Sequence, residues 1–241
     1  MINAVIPARA GSQRIISKNV RRLGKHPLLA YSIEACRQST MIDRIIVSTD
    51  SEEIAKIARS YGAETPFLRP EKFAKNDSPD LDFLIHFFEN VPGAEVALIR
   101  PTSPLRDPKF LDESIAEFFA IEDPDITGFR TMFLSNHPPY KMFKLNEGIC
   151  EGFFDSFDGV IDYSNLPGQI FPKTYIPNGY IDIVKRRTLL LGSSFGNRIY
   201  GKISPEILDI DTEFDFFLAE LQIKTKVDKL SDTLDRRKHE K

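Results

Sequence analysis

Cysteine is scarce. Only Cys36 and Cys150 occur in 241 residues, too few for a disulfide framework. No C-x-x-C pair points to zinc, and His26, His86, His137 and His239 show no metal-ligand spacing. A basic excess is also missing: 32 Lys and Arg stand against 35 Asp and Glu, for a net charge of -3. That argues against charge-driven binding of nucleic acid, although a local positive pocket can still take a small anion. No uncharged apolar stretch approaches the ~20 residues of a membrane span. The first residues lack the basic flank and longer apolar run of a signal peptide. The expectation is a cytoplasmic protein with reduced thiols and no membrane partner. What is present is a globular composition, 41% hydrophobic and 28% charged, with enough apolar surface to offset conformational entropy. The length fits one α/β domain with an excursion.

Periodicity gives a coarse layout. Residues 2–6 read as a short buried strand stopped by Pro7. Pro27 opens a helix with Leu29, Ile33 and Cys36 on one face. Residues 44–48 read as a second strand, whose Ile45-Ile46-Val47 run suits a parallel sheet buried on both faces. Asp50 and Ser51 cap the next helix, with a stripe of Ile54, Ile57, Ala58 and Tyr61 that ends at Gly62. Helices over 79–89 and 110–119 flank a strand over 96–99. This alternation predicts an α/β fold with a mostly parallel sheet flanked by helices.

After a strand over 126–133, the helical pattern fades from residue 134 to 177. Five prolines and five phenylalanines punctuate that stretch. A long apolar segment is a poor floppy loop, so it predicts β-ribbons packed on another surface, such as a second subunit. Strands resume over 180–184 and 198–201. A last helix after Thr212 would bury Phe214, Phe217, Leu218 and Leu221, and a charged tail from residue 232 would fray. The regions are therefore 1–133, 134–177 and 178–241.

Two segments carry candidate chemistry. The first is Ala8-Arg9-Ala10-Gly11-Ser12-Gln13-Arg14 with Lys18-Asn19. It follows a strand, where parallel sheets bind ligands. Gly11 lets backbone approach an anion, and the cations supply charge. A single glycine makes it neither a Walker A nor a G-x-G-x-x-G loop, and a solvated basic loop is the alternative. The second is Asp209-Ile210-Asp211-Thr212-Glu213. Alternate carboxylates on an extended segment share one side and can hold Mg2+. Alternatively, Asp211 or Thr212 merely caps the last helix, with Glu213 and Asp215 at its positive end. Arg100-Pro101-Thr102-Ser103-Pro104-Leu105-Arg106 could be a rigid turn. Pro177-Asn178-Gly179-Tyr180 reads as a turn, and Asn76-Asp77-Ser78-Pro79-Asp80 as a helix start.

In series, these segments, together with Ile46-Val47-Ser48-Thr49-Asp50 and Leu68-Arg69-Pro70, resemble the CMP-sugar synthetases. That family comprises acylneuraminate cytidylyltransferases and their KDO, legionaminate and pseudaminate relatives. The resemblance spans residues 2 to about 221. It implies a Rossmann-like α/β domain, a β-rich dimerisation excursion in the middle and a homodimer. It also implies transfer of CMP from CTP to the anomeric hydroxyl of a 3-deoxy-2-ulosonic sugar acid, with release of pyrophosphate and use of Mg2+. The product would be a donor for surface glycans such as lipopolysaccharide or capsule.

By position, the resemblance makes Arg9, Lys18 and Asp211 catalytic residues. Arg9 and Lys18 would hold the triphosphate, and Asn19 would lie beside the nucleotide. Asp209 and Asp211 would hold the metal. Backbone near Ala8 and Ala10 would read cytosine. Gly11, Ser12, Gln13, Arg14, Ser78, Asp80, Arg100, Thr102, Ser103, Arg106 and Asn178 would complete the CTP and sugar site. Departures stand at Gln13, where relatives usually carry lysine, and near Ile16, where they often carry proline. Others stand at Arg100, in place of glutamine, and Ile176, in place of arginine. Arg14 could substitute for the missing lysine, and Arg100 could reach a sugar carboxylate. The departures imply an altered sugar, including a KDO-type or unusual acid, or a catalytically impaired nucleotide-binding homologue. His137 could line the sugar pocket or form a turn. Cys36 reads as core, and Cys150 has no basic partner in sequence.

Overall fold

A computed structural model describes residues 1–11, 14–225 and 229–238. The chain enters the sheet at once through β1 (Ile2–Pro7), where Ala4, Val5 and Ile6 are wholly buried. A short hairpin, β2 (Arg22–Leu23) and β3 (His26–Pro27), leads into α1 (Leu28–Gln38). Pro27 is the extended residue before that helix rather than part of its first turn, and Leu29, Ile33 and Cys36 face the core as expected. β4 (Ile42–Ser48) follows. α2 (Glu52–Ser60) starts at Ser51, whose hydroxyl accepts from the Ile54 amide; Asp50 is engaged elsewhere. Then come α3 (Asp80–Asn90), β5 (Glu95–Leu98), α4 (Pro108–Phe119) and β6 (Gly128–Leu134). A separate hairpin of β7 (Phe143–Asn146) and β8 (Ile149–Gly152) precedes β9 (Tyr175–Lys185). The chain continues through α5 (Arg186–Leu189), β10 (Ile199–Ile203), α6 (Glu213–Lys224) and α7 (Lys229–Lys238).

The main sheet has the order β10-β6-β9-β5-β1-β4. β1 is parallel to β4 and β5, and β10 is parallel to β6. β9 runs antiparallel to both of its neighbours. Its direction follows from connectivity: residues 135–174 leave and re-enter at the same end of the sheet, so no crossover is needed. Strand alternation sends Ala4 and Ile6 to one face and Val5 to the other. The first face packs against α1, α2, α4, α6 and α7, and the second against α3 and α5. Burial pushes the Cys36 thiol up to about 12, which makes it inert core. No described helix is long and apolar enough to cross a membrane.

Three local expectations are corrected. Asn178-Gly179 is not a turn but a bulge inside β9. The register against β6 shifts between Arg130 and Met132, and Gly179 takes φ +61°, a conformation glycine adopts without strain. The α6 stripe points the other way: Phe216 and Ala219 are buried, whereas Phe217 and Leu221 face outward and Phe214 is 65% exposed. That helix carries two apolar stripes at helical spacing, so periodicity alone could not choose between them. The tail is not frayed over residues 232–238. It belongs to α7, which seats Leu230 and Leu234 in the core beside α1. Residues 239–241 lie outside the described residues.

The middle region is one short hairpin with turns and an aromatic knot. Tyr140 stacks on Phe154 and Phe171, at ring-centroid distances of 4.6 and 4.9 Å, and meets Phe157 edge-on. Leu145, Ile149 and Ile161 point outward from this region.

Candidate active site

A cavity of about 380 Å³ opens at the carboxyl ends of β1 and β5. It brings together Arg9, Lys18, Asn19, Ser78, Asp80, Arg100, Thr102, Asp209 and Asp211, nine of the residues singled out by sequence. The loop after β1 supplies the first three. Asn19 ties that loop together by donating from Nδ2 to the Arg9 carbonyl at 2.9 Å. Arg9 reaches across to donate to the Lys75 carbonyl. Lys18 is directed inward, with Nζ donating to the Ile210 carbonyl at 3.0 Å and lying 3.5 Å from Asp211 Oδ1.

The acidic segment is pinned at its centre. Ile210 is wholly buried, and its amide donates to the Thr102 carbonyl at 2.7 Å. Asp209 and Asp211, one residue to either side, both line the cavity. The capping question is settled by Thr212. Its hydroxyl accepts from the Asp215 amide, while Asp215 accepts from the Thr212 amide, closing a capping box on α6. Asp211 is therefore not the cap. Its carboxylate faces Arg14, at 3.0 Å, and Lys18.

No group of three or more metal-ligating side chains occurs among the described residues. Mg2+ usually takes one or two carboxylates together with substrate phosphates and water, and Asp209 with Asp211 fits that donor set.

Other expected site residues stand apart from the cavity. Ala8 donates its amide to the Ser48 carbonyl, extending the β1–β4 ladder, and Ala10 donates its amide to Asp50. Both amide hydrogens expected near cytosine are thus already committed. Gly11 is exposed, with open space around it. Ser12 and Gln13 lie outside the described residues. Ser103 is buried, and its hydroxyl donates to the Asn178 carbonyl at 3.4 Å. Asn178 is buried as well, joined through its side chain to Thr131, Ser204 and the Tyr180 amide.

Arg106 is the clearest case of a charged residue taken up by the scaffold. It is 2% exposed and donates to the carbonyls of Tyr180, Gly179 and Arg100 and to the Ser32 hydroxyl. Burial draws its guanidinium down to about 10, so it still carries charge at neutral pH. Short-range sequence reading placed it in the site because its partners on β9 lie more than seventy residues away.

Arg69 belongs to the Leu68-Arg69-Pro70 segment. It lines the cavity, donates to the Ser48 hydroxyl and carbonyl at 3.1 and 2.7 Å, and sits 4.7 Å over the Phe83 ring. Burial lowers it to about 10. Lys75 also lines the cavity. Beyond its place in that series of segments, Arg69 carries no local sequence signal of a site role.

The histidines stay structural where they are described. His26 is buried between the Tyr61 hydroxyl and Asp235, which tethers α7. His86 meets Phe67 and Phe73, and burial lowers its pKa. His137 is exposed, and it is not among the residues lining the cavity.

Known proteins resemble this chain in sequence and in fold. A family model described as cytidylyltransferase matches residues 3–125. An N-acylneuraminate cytidylyltransferase of Escherichia coli is 36% identical over 222 residues, covering 90% of this chain and 51% of that protein. The chain therefore spans about half the length of that relative. A CMP-N,N'-diacetyllegionaminic acid synthase of Legionella pneumophila is 34% identical over 235 residues, covering 91% of this chain and 94% of that protein. Among solved structures, a CMP:2-keto-3-deoxy-manno-octonic acid synthetase complexed with CTP has the same fold. Its TM-score is 0.70 at 13% identity, covering 93% of this chain and 99% of that one. With the matched model spanning just over half of its residues and relatives aligned over nearly all of it, the chain belongs to the cytidylyltransferase family.

Proposed function

We propose that this protein transfers CMP from CTP to the anomeric hydroxyl of a 3-deoxy-2-ulosonic acid of the sialic-acid type, releasing pyrophosphate. The observation that carries the proposal is the cavity itself, whose lining combines Arg9, Lys18 and Arg69 with Asp209 and Asp211. The sugar hydroxyl gives up its proton to solvent as its oxygen forms a bond to the α-phosphorus, the bond to the bridging oxygen breaks, and that oxygen leaves with pyrophosphate. Charge builds on the departing group, so the protein's task is positioning and electrostatic stabilisation.

Arg9, Lys18, Arg14 and Arg69 supply the positive charge. Arg14 and Lys18 rest on Asp211 without ligand, and their exchange onto phosphate oxygens replaces one anion with another. Ser78 and Asp80, which line the same cavity, would contact the ribose or the base. Asp209 and Asp211 would hold Mg2+, which supplies neutralising charge at the phosphates and lowers the pKa of a bound hydroxyl. The test is pyrophosphate release. It should require CTP, Mg2+ and a sugar acid together, and it should fail with ATP, GTP or UTP. Equal release without the acid would contradict the reading.

The protein acts in the cytoplasm on this reading, where CTP is made. It works as a homodimer through residues 134–177. The outward Leu145, Ile149 and Ile161 and the aromatic knot behind them support that assembly, because such surface gains by being covered. Sedimentation should give twice the 27.5 kDa chain mass. Leu145→Asp with Ile149→Asp should shift the protein toward monomer. A wild-type monomer at every concentration would contradict the assembly.

A further inference from the structure

The β1–β4 ladder does not end with its strands. Ala8 donates its amide to the Ser48 carbonyl. Bonds along a parallel pair are evenly spaced, so the next one would run from the Ala10 amide to the Asp50 carbonyl. By that point the chain has turned into the start of α2, with Ser51 as its cap. The Asp50 side chain stands in for the carbonyl, and its Oδ1 accepts from the Ala10 amide at 2.8 Å. Asp50 thus adds one rung beyond the end of β4.

That rung closes a clamp on a single peptide group. Asn19 Nδ2 donates to the Arg9 carbonyl at 2.9 Å, and Asp50 accepts from the Ala10 amide. These are the two polar ends of the planar Arg9–Ala10 peptide, which is therefore held from both sides. Strand alternation then continues past Pro7. Ala8 joins the face of Ala4 and Ile6, and Arg9 falls on the face of Val5, against which α3 packs. There its guanidinium donates to the Lys75 carbonyl, in the segment leading into α3. Asn19 follows Lys18, so the clamp also ties the two cations of the first loop to each other. The Ala10–Asp50 bond lies at the surface, where water can serve both groups, so the fold gains little from it. What it gives is a direction for Arg9.

We propose that Asp50 is a positioning residue for the triphosphate, acting through the Arg9–Ala10 peptide to aim the Arg9 side chain. This inference rests on the cytidylyl-transfer reading, in which Arg9 holds the triphosphate, and deepens it. The role asks for an acceptor oxygen at the place of Oδ1 and not for a negative charge. Asparagine supplies that oxygen, whereas alanine and serine do not. Burial lowers the Arg69 guanidinium, and the Asp50 charge is the largest influence against that shift, so acceptor and charge have to be separated.

The experiment measures CTP binding by calorimetry in the presence of Mg2+, with a thermal melt for each variant. Asp50→Ala should weaken CTP by about 10-fold and leave Tm nearly unchanged. Asp50→Asn should stay within about 3-fold of wild type, because its amide oxygen still accepts from Ala10. Arg9→Met should weaken CTP at least as much as Asp50→Ala. In the Arg9→Met background, Asp50→Ala should add no further loss, since no guanidinium is left to aim. A merely structural aspartate would lower affinity by the same factor with or without Arg9, and that result overturns the inference. Wild-type affinity in Asp50→Ala overturns it as well. So does an Asp50→Asn as weak as Asp50→Ala, which would assign the effect to charge at Arg69. If Asp50→Ala fails to fold, Asp50→Ser, whose hydroxyl stops one bond short, takes its place with the same expectations. The expected binding pattern without turnover of any sugar acid removes the transfer reading and leaves this inference standing. No binding of CTP by wild type removes both.

Discussion

Asp211→Ala should lower kcat by about 100- to 1,000-fold while leaving the fold nearly as stable as before. Both halves come from the same geometry. The carboxylate shares the cavity with Asp209 and faces Lys18 and Arg14, at the place where a metal and a triphosphate would meet. Yet it does not hold α6 together, because Thr212 and Asp215 form the capping box. Its side chain is 49% exposed, and exposed ion pairs contribute little to stability. Steady-state kinetics over a Mg2+ titration, with a thermal melt beside them, check the prediction. Unchanged kinetics would reduce Asp211 to a surface carboxylate. A large loss of stability would mean that its ion pairs hold the first loop in place.

Arg106→Leu should do the reverse, destabilising the fold first. The wild-type guanidinium donates to three backbone carbonyls and one hydroxyl, all buried except the half-buried Arg100 carbonyl. Leucine takes that donor away from the buried acceptors, at about 1–3 kcal/mol each, offset in part by removing a buried charge. The net loss should be about 3 kcal/mol, a fall in Tm of roughly 6–12 °C for a domain of this size. Arg106→Lys should be milder, since one ammonium can still reach part of the set. A wild-type Tm with weakened CTP binding would return Arg106 to the ligand site, where the motif alone had placed it.

The contrast between these residues shows what could be read from the chain. Local signals served well where partners are close in sequence. The β1, β4 and β5 strands, the Ser51 cap and the Asp209–Asp211 alternation all follow from a few neighbouring residues. Burial decided by distant strands was not legible. Arg106, Ser103 and Asn178 look like ligand residues in their motifs, but β9 packs beside the β5 loop and takes up their polar groups. The inner and outer faces of α6 were ambiguous because Phe214, Phe217 and Leu221 repeat the spacing of Phe216, Ala219 and Ile223. Asp182 carries no local signal in its strand, because its ion-pair partners are arginines on β6 and after β5.

Identification of the product tests the central claim most directly. The protein should be incubated with CTP, Mg2+ and, separately, sialic, legionaminic, pseudaminic and KDO acids, and the phosphorus products followed by NMR and mass. The account predicts one new phosphodiester, CMP joined to a single preferred acid, formed in equal amount with pyrophosphate. Free CMP without a sugar adduct, or CTP bound but unchanged with every acid, would contradict it.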